Sequence, residues 1–161
     1  MKHLLAAFLL GLLILLGLQT AQADKAVSRD AVRKAIELFQ QDPSSVGGLS
    51  AASSIMAFAK SSDAVHISIS KAVAPWLKSQ DAPDADTRSI LLAAYVAGNV
   101  RSQLDSGKAQ DDVYAGWQQV IATYDQLRQI NPTVKMPEID DLKAKEKAGT
   151  LRAYAAARTG K

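Results

Sequence analysis

The chain has no cysteine. No disulfide framework can hold it together, and thiolate sites for zinc or iron–sulfur clusters are excluded. Histidine is nearly as scarce, with His3 near the start and His66 as the other copy. A lone imidazole cannot build a histidine-rich metal site, so no metal and no other cofactor is expected. Complete catalytic motifs are missing as well. Gly48-Leu49-Ser50-Ala51-Ala52 falls short of a nucleophile elbow, because Ala52 stands at the last glycine and no strand precedes it. Ser68-Ile69-Ser70-Lys71 has the spacing S-x-x-K, but neither S-D-N nor K-T-G follows. Asp81, Asp84 and Asp86 lack the glycine and distal glutamate of a calcium loop and read as a linker that delivers a helix cap. Asp111-Asp112 and Asp140-Asp141 each fall where a helix begins, and negative charge is favourable there without any acid/base role.

One long hydrophobic run is present, at the N-terminus. Lys2 precedes an uncharged stretch from Leu4 to Leu18, and Ala21-Gln22-Ala23 comes before the polar Asp24. This is the layout of a secretory signal peptide over residues 1–23, with Ala21 and Ala23 at the small-residue positions of the cleavage site. The run is short of the roughly 20 residues that span a bilayer. Residues 24–161 are then expected to be a single exported domain, soluble in the bacterial periplasm or secreted. The net charge of +3 is a weak argument for an acidic partner. Six basic residues (Lys143, Lys145, Lys147, Arg152, Arg158 and Lys161) against Glu146 make residues 143–161 the one basic patch, expected to be partly frayed.

Within the domain the apolar spacing is helical throughout. Ser28 caps a first helix carrying Val32, Ile36 and Phe39 and ending at Asp42-Pro43. Residues 44–54 are rich in serine, glycine and alanine and are compatible with helix or loop. From Asp63 to Lys78 the pattern is mixed: Ile69, Val73 and Trp76 are helically spaced, whereas Val65, Ile67 and Ile69 alternate as in a strand. Helix is the preferred reading there, with a kink or boundary at Pro75. A helix from Thr87 to Leu104 is apolar or small all round between Ile90 and Gly98, which places it in the middle of a bundle. Val113, Trp117, Val120, Tyr124 and Leu127 mark a further helix over 111–130, stopped by Asn131-Pro132. Pro137 starts a last helix through Ile139, Leu142, Leu151 and Tyr154. The fold class expected is all-α: an antiparallel bundle, or a short helical-hairpin solenoid, of about five to six helices.

Trp117, Tyr124 three residues before Leu127, and the Ile130-Asn131-Pro132 stop, with Tyr95 and Gly98 in the preceding helix, resemble a helical hairpin of the tetratricopeptide type over residues 88–132. The hairpin is longer than that family's 34-residue repeat, and no second copy follows. The resemblance implies helical-hairpin architecture and names no ligand.

Two binding functions are compatible with these features, and a hydrolase acting on envelope polymers, with Ser50, or Ser68 with Lys71, as its candidates, stands behind them. One is a non-enzymatic interaction module whose partner is another envelope protein. The other is a binding protein for a small hydrophobic ligand held between helices. Trp76, Tyr95, Trp117 and Tyr124 would line the groove in either case, although aromatic residues at this spacing are more often core. Nucleic acid is not expected of an exported chain. The basic segment 143–161 offers a weaker route to anionic membrane.

Overall fold

The computed structural model describes residues 27–78 and 84–158. The N-terminal apolar segment with Ala21 and Ala23 lies outside the described residues, as do Asp81 and residues 159–161. The described chain is all-α, with six α-helices, one 3-10 turn and no strand. None of its helices is long and apolar enough to cross a membrane.

Helix α1 (Arg29–Gln41) begins where the Ser28 hydroxyl accepts the Ala31 N–H, and it buries Val32, Ile36 and Phe39. The turn after it is built from side chains. The Asp42 carboxylate accepts the Ser44 and Ser45 N–H groups, and the Ser45 hydroxyl accepts the Gly48 N–H at 3.0 Å. This cap makes residues 46–54 helical rather than loop, despite their glycines and serines, and α2 runs Val46–Ser61. Gly48 is required by the turn itself: a Cβ there would overlap the Asp42 carbonyl.

Residues 62–74 form neither the helix preferred from the sequence nor a strand. They make an irregular strap, followed by a 3-10 turn over Pro75–Lys78. The reason lies in where the backbone hydrogen bonds go. The His66 N–H donates to Gln103 Oε1 at 2.7 Å, while Gln103 Nε2 donates to the His66 carbonyl at 2.8 Å. The Ser68 N–H donates to Asp111 Oδ2, and Trp117 Nε1 donates to the Val73 carbonyl at 2.6 Å. Side chains from the two following helices and the connection between them thus replace a helical ladder. Pro75 removes a further N–H.

Helix α3 (Ala85–Ser106) is capped by Asp84 and ends at Gly107, whose φ of +67° is the left-handed conformation that favours glycine. Helix α4 (Val113–Ile130) is capped by Asp112. As its composition requires, α3 is buried nearly all round from Ile90 to Val100, with α2 on one side and α4 on the other. The α3–α4 contact is backbone-close. A Cβ on Gly98 would overlap the Ala115 carbonyl, and one on Gly116 would come within 2.6 Å of the Tyr95 ring. The single last helix expected after Pro137 is in fact two, α5 (Pro137–Lys147) and α6 (Leu151–Ala156). Gly149, at φ +71°, breaks them, and the Thr150 N–H returns to the Lys145 carbonyl. Both helices pack on α4 and bury Ile139, Leu142, Leu151 and Ala155. The described part of the basic segment is therefore docked rather than frayed.

Candidate functional site

Trp76, Tyr95, Trp117 and Tyr124 are all 0% exposed. Trp76 stands on Tyr95, with ring centroids 6.3 Å apart, and Trp117 on Tyr154 at 5.5 Å. The Tyr124 hydroxyl accepts the Met136 N–H at 2.9 Å. These side chains fill the core, so the groove entertained for them from the sequence gives way to packing.

The cations of the C-terminal segment are largely engaged within the fold. Lys143 pairs with Asp125 and Lys145 with Asp141. Arg152 covers the Tyr114 ring at 3.9 Å, and Arg158 covers Tyr154 at 3.4 Å. Ser50 lies exposed on α2, whereas Ser68 and Lys71 lie exposed on the strap, so the candidate nucleophiles belong to separate elements. Among the described residues no group of three or more His, Cys, Asp or Glu could hold a metal. The acidic residues act as sequence patterning suggested. Asp84 and Asp112 cap helices, and the Thr87 N–H holds the Asp84 carboxyl below its ordinary range.

Three features remain. The first is a buried polar knot under the strap. Asn99 and Gln103 are buried on one stripe of α3, and Asn99 Oδ1 accepts both Gln103 Nε2 and the Asp112 N–H. Tyr95 Oη, Asn99 Nδ2 and Asp111 Oδ1 are buried without a hydrogen-bond partner. Burial pushes the Asp111 carboxyl up, against the Ser68 N–H that draws it down, and burial also pushes the Tyr95 phenol up.

The second feature is a pair of adjoining polar clefts between α1, α3 and α4. The larger has a volume of about 340 Å³ and is lined by Gln40, Gly98, Arg101, Ser102, Asp105, Ala115, Gln118 and Gln119. The smaller, about 170 Å³, shares Arg101 and Asp105 and adds Arg33, Ile36 and Glu37. An oriented hydrogen-bond chain crosses them: Arg101 donates to Gln40, Gln40 to Gln119, and Gln119 to Thr123. Sequence reasoning missed this site. Its residues are scattered over three helices, and no motif links them.

The third is an apolar patch at the α1–α2 corner. Val46 is 87% exposed, Leu38 47% and Leu49 46%. Val46 and Leu49 lie one turn apart on α2, and Leu38 packs near Gly47 on the neighbouring side of that helix. Helix α2 carries no charge from Val46 to Ala59. No family model matches this chain, and no curated protein or solved structure does either.

Proposed function

We propose that the chain is a non-enzymatic helical interaction module of the bacterial envelope, exported through its N-terminal apolar segment. The observation that carries this reading is the α1–α2 corner. Leu38, Val46 and Leu49 stand exposed beside a helix that offers a partner no charge to desolvate. A single exposed leucine means little, whereas Val46 and Leu49, one turn apart on a stretch of α2 without charge as far as Ala59, make a surface suited to burial against another protein. Residues that would otherwise advertise chemistry serve as caps, core or clamps. The partner in this reading is another envelope protein.

In-cell crosslinking followed by purification from the envelope fraction tests it. A discrete partner should crosslink to the wild-type chain and be lost from the Val46→Asp, Leu49→Asp double variant, with the helical circular dichroism unchanged. Recovery of the same species by both forms, or of none, sinks the reading. The same preparation tests export, since N-terminal sequencing should begin at Asp24. An intact Met1 terminus in the membrane pellet contradicts cleavage after Ala23.

A small hydrophobic ligand between the helices, the second function compatible with the sequence, gains no support from the clefts, because amides and charged groups line them.

A further inference from the structure

We propose that the paired clefts along α1, α3 and α4 bind a zwitterion, namely a free α-amino acid or short peptide with its α-carboxylate and α-ammonium groups unblocked. This goes beyond the partner-binding reading and uses a different face of the molecule.

Two walls of the clefts are single stripes of α1 and α3, and α4 closes the larger one. Arg33, Glu37 and Gln40 follow one another at helical spacing on α1, as do Gly98, Arg101 and Asp105 on α3. The charges on these stripes are unevenly used. Arg33 holds Asp105 tightly, at 2.5 Å from Nη1 to Oδ1. Arg101 reaches the same carboxylate only at 3.9 Å and otherwise donates to the neutral Gln40 amide at 3.1 Å. Its side chain is 58% exposed, and the guanidinium keeps unspent donors in the shared wall of both clefts. Glu37 lines the smaller cleft and forms no ion pair among the described residues.

One underused cation and one unpaired anion therefore face a recess whose other charges neutralise each other. A simple anion would be drawn to Arg101 but repelled by Asp105 and Glu37, and a simple cation would meet the reverse. A ligand carrying both charges suits both ends: its carboxylate takes the planar guanidinium fork, and its ammonium takes Glu37. The rest of the ligand then enters the larger cleft. There Gly98 contributes no side chain, and the Gln118 amide, whose nitrogen donates to Tyr114 Oη, keeps its oxygen for a polar side chain or a peptide N–H. A volume of about 340 Å³ lies at the small end of ligand pockets, as an amino acid or dipeptide requires.

The test is a titration of the ¹⁵N-labelled protein, expressed with its own N-terminal segment, followed by two-dimensional NMR and by calorimetry. The probes are glutamine, glycine and Gly-Gln, with N-acetylglutamine and glutamine amide as singly blocked controls. Saturable shifts should appear at Gly98, Arg101, Ser102 and Gln118. Each blocked control should bind at least about tenfold more weakly than glutamine, since a charge-assisted bond is lost. Arg101→Gln and Glu37→Gln should each weaken glutamine binding by a similar factor without moving the thermal midpoint, as both side chains are exposed. Tighter binding of glutamine or of Gly-Gln tells amino acid from peptide as the source, and either supports the proposal. Absence of saturable shifts up to about 10 mM, a range that covers even weak small-ligand affinities, overturns it. So does equal affinity for blocked and unblocked probes. Val46→Asp, on the α2 corner, should leave this binding unchanged, so failure here and failure of partner capture are separable.

Discussion

At the residue scale, two buried tyrosines make opposite predictions from the same substitution. The Tyr124 hydroxyl satisfies the buried Met136 N–H, so Tyr124→Phe orphans a donor and should cost about 1–3 kcal/mol. The Tyr95 hydroxyl is itself orphaned, so Tyr95→Phe should change stability by less than about 0.5 kcal/mol, or raise it. Urea denaturation of the pair checks both, and a larger loss at Tyr95 than at Tyr124 contradicts the assignment. Asp111 carries a pH dependence whose sign follows from its burial. Its folded carboxyl titrates above the ordinary aspartate value, so the native state binds the extra proton between the unfolded and folded pKa values. Its ionisation therefore opposes folding, and stability falls as pH rises through that window and levels off above it. Asp111→Asn should gain stability over wild type at pH 7, with the gain shrinking as pH falls through the folded value. Denaturant midpoints measured from pH 3 to 7 decide it, and a variant less stable at pH 7 than at pH 4 relative to wild type refutes the sign. The sequence placed Asp111 correctly near a helix start but gave no hint of this role, because its partner Ser68 is 43 residues away.

At the scale of elements, what was legible is what short-range physics writes. Helices α1, α3 and α4 follow from periodic apolar residues and from Ser28, Asp84 and Asp112, caps that act within three residues. The strap over 62–74 was not legible, since Val65, Ile67 and Ile69 describe an extended chain whose partners are side chains rather than a neighbouring strand. The break at Gly149 was missed for a related reason: Ile139, Leu142, Leu151 and Tyr154 all face α4, and a bent pair of helices buries them as well as a straight one. The clefts were illegible because they depend on how three helices meet. The strap also yields a prediction. Gln103 holds His66 through both its amide atoms and also donates to Asn99, so Gln103→Ala should cost about 2–3 kcal/mol from three lost hydrogen bonds and unfilled space. Native-state hydrogen exchange should show it locally, with the His66 amide losing its protection. Unchanged exchange at His66 would mean that the strap is held by its apolar contacts alone.

For the whole molecule, the distribution of charge matters more than its sum. A segment that reads as a basic tail is folded back over its described length so that Lys143 and Lys145 lie on carboxylates and Arg152 and Arg158 on aromatic rings. The protein should therefore remain in the supernatant when sedimented with vesicles containing anionic lipid at physiological salt. Co-sedimentation that salt abolishes would show these pairs opening to meet a membrane. The glycine contacts of the central helix pair have a mechanical consequence. At Gly98 the backbone of α3 meets that of α4, and at Gly116 the Tyr95 ring lies flush on α4, so a slip of one helix along the other would drive a backbone or a buried ring into its neighbour. Shear, the usual way for packed helices to respond to a ligand, is closed to α3 and α4. The pair is a rigid strut, and any movement that binding sets off must be carried by what is attached to it: α1 swinging at the Asp42 corner, or the strap lifting from Gln103.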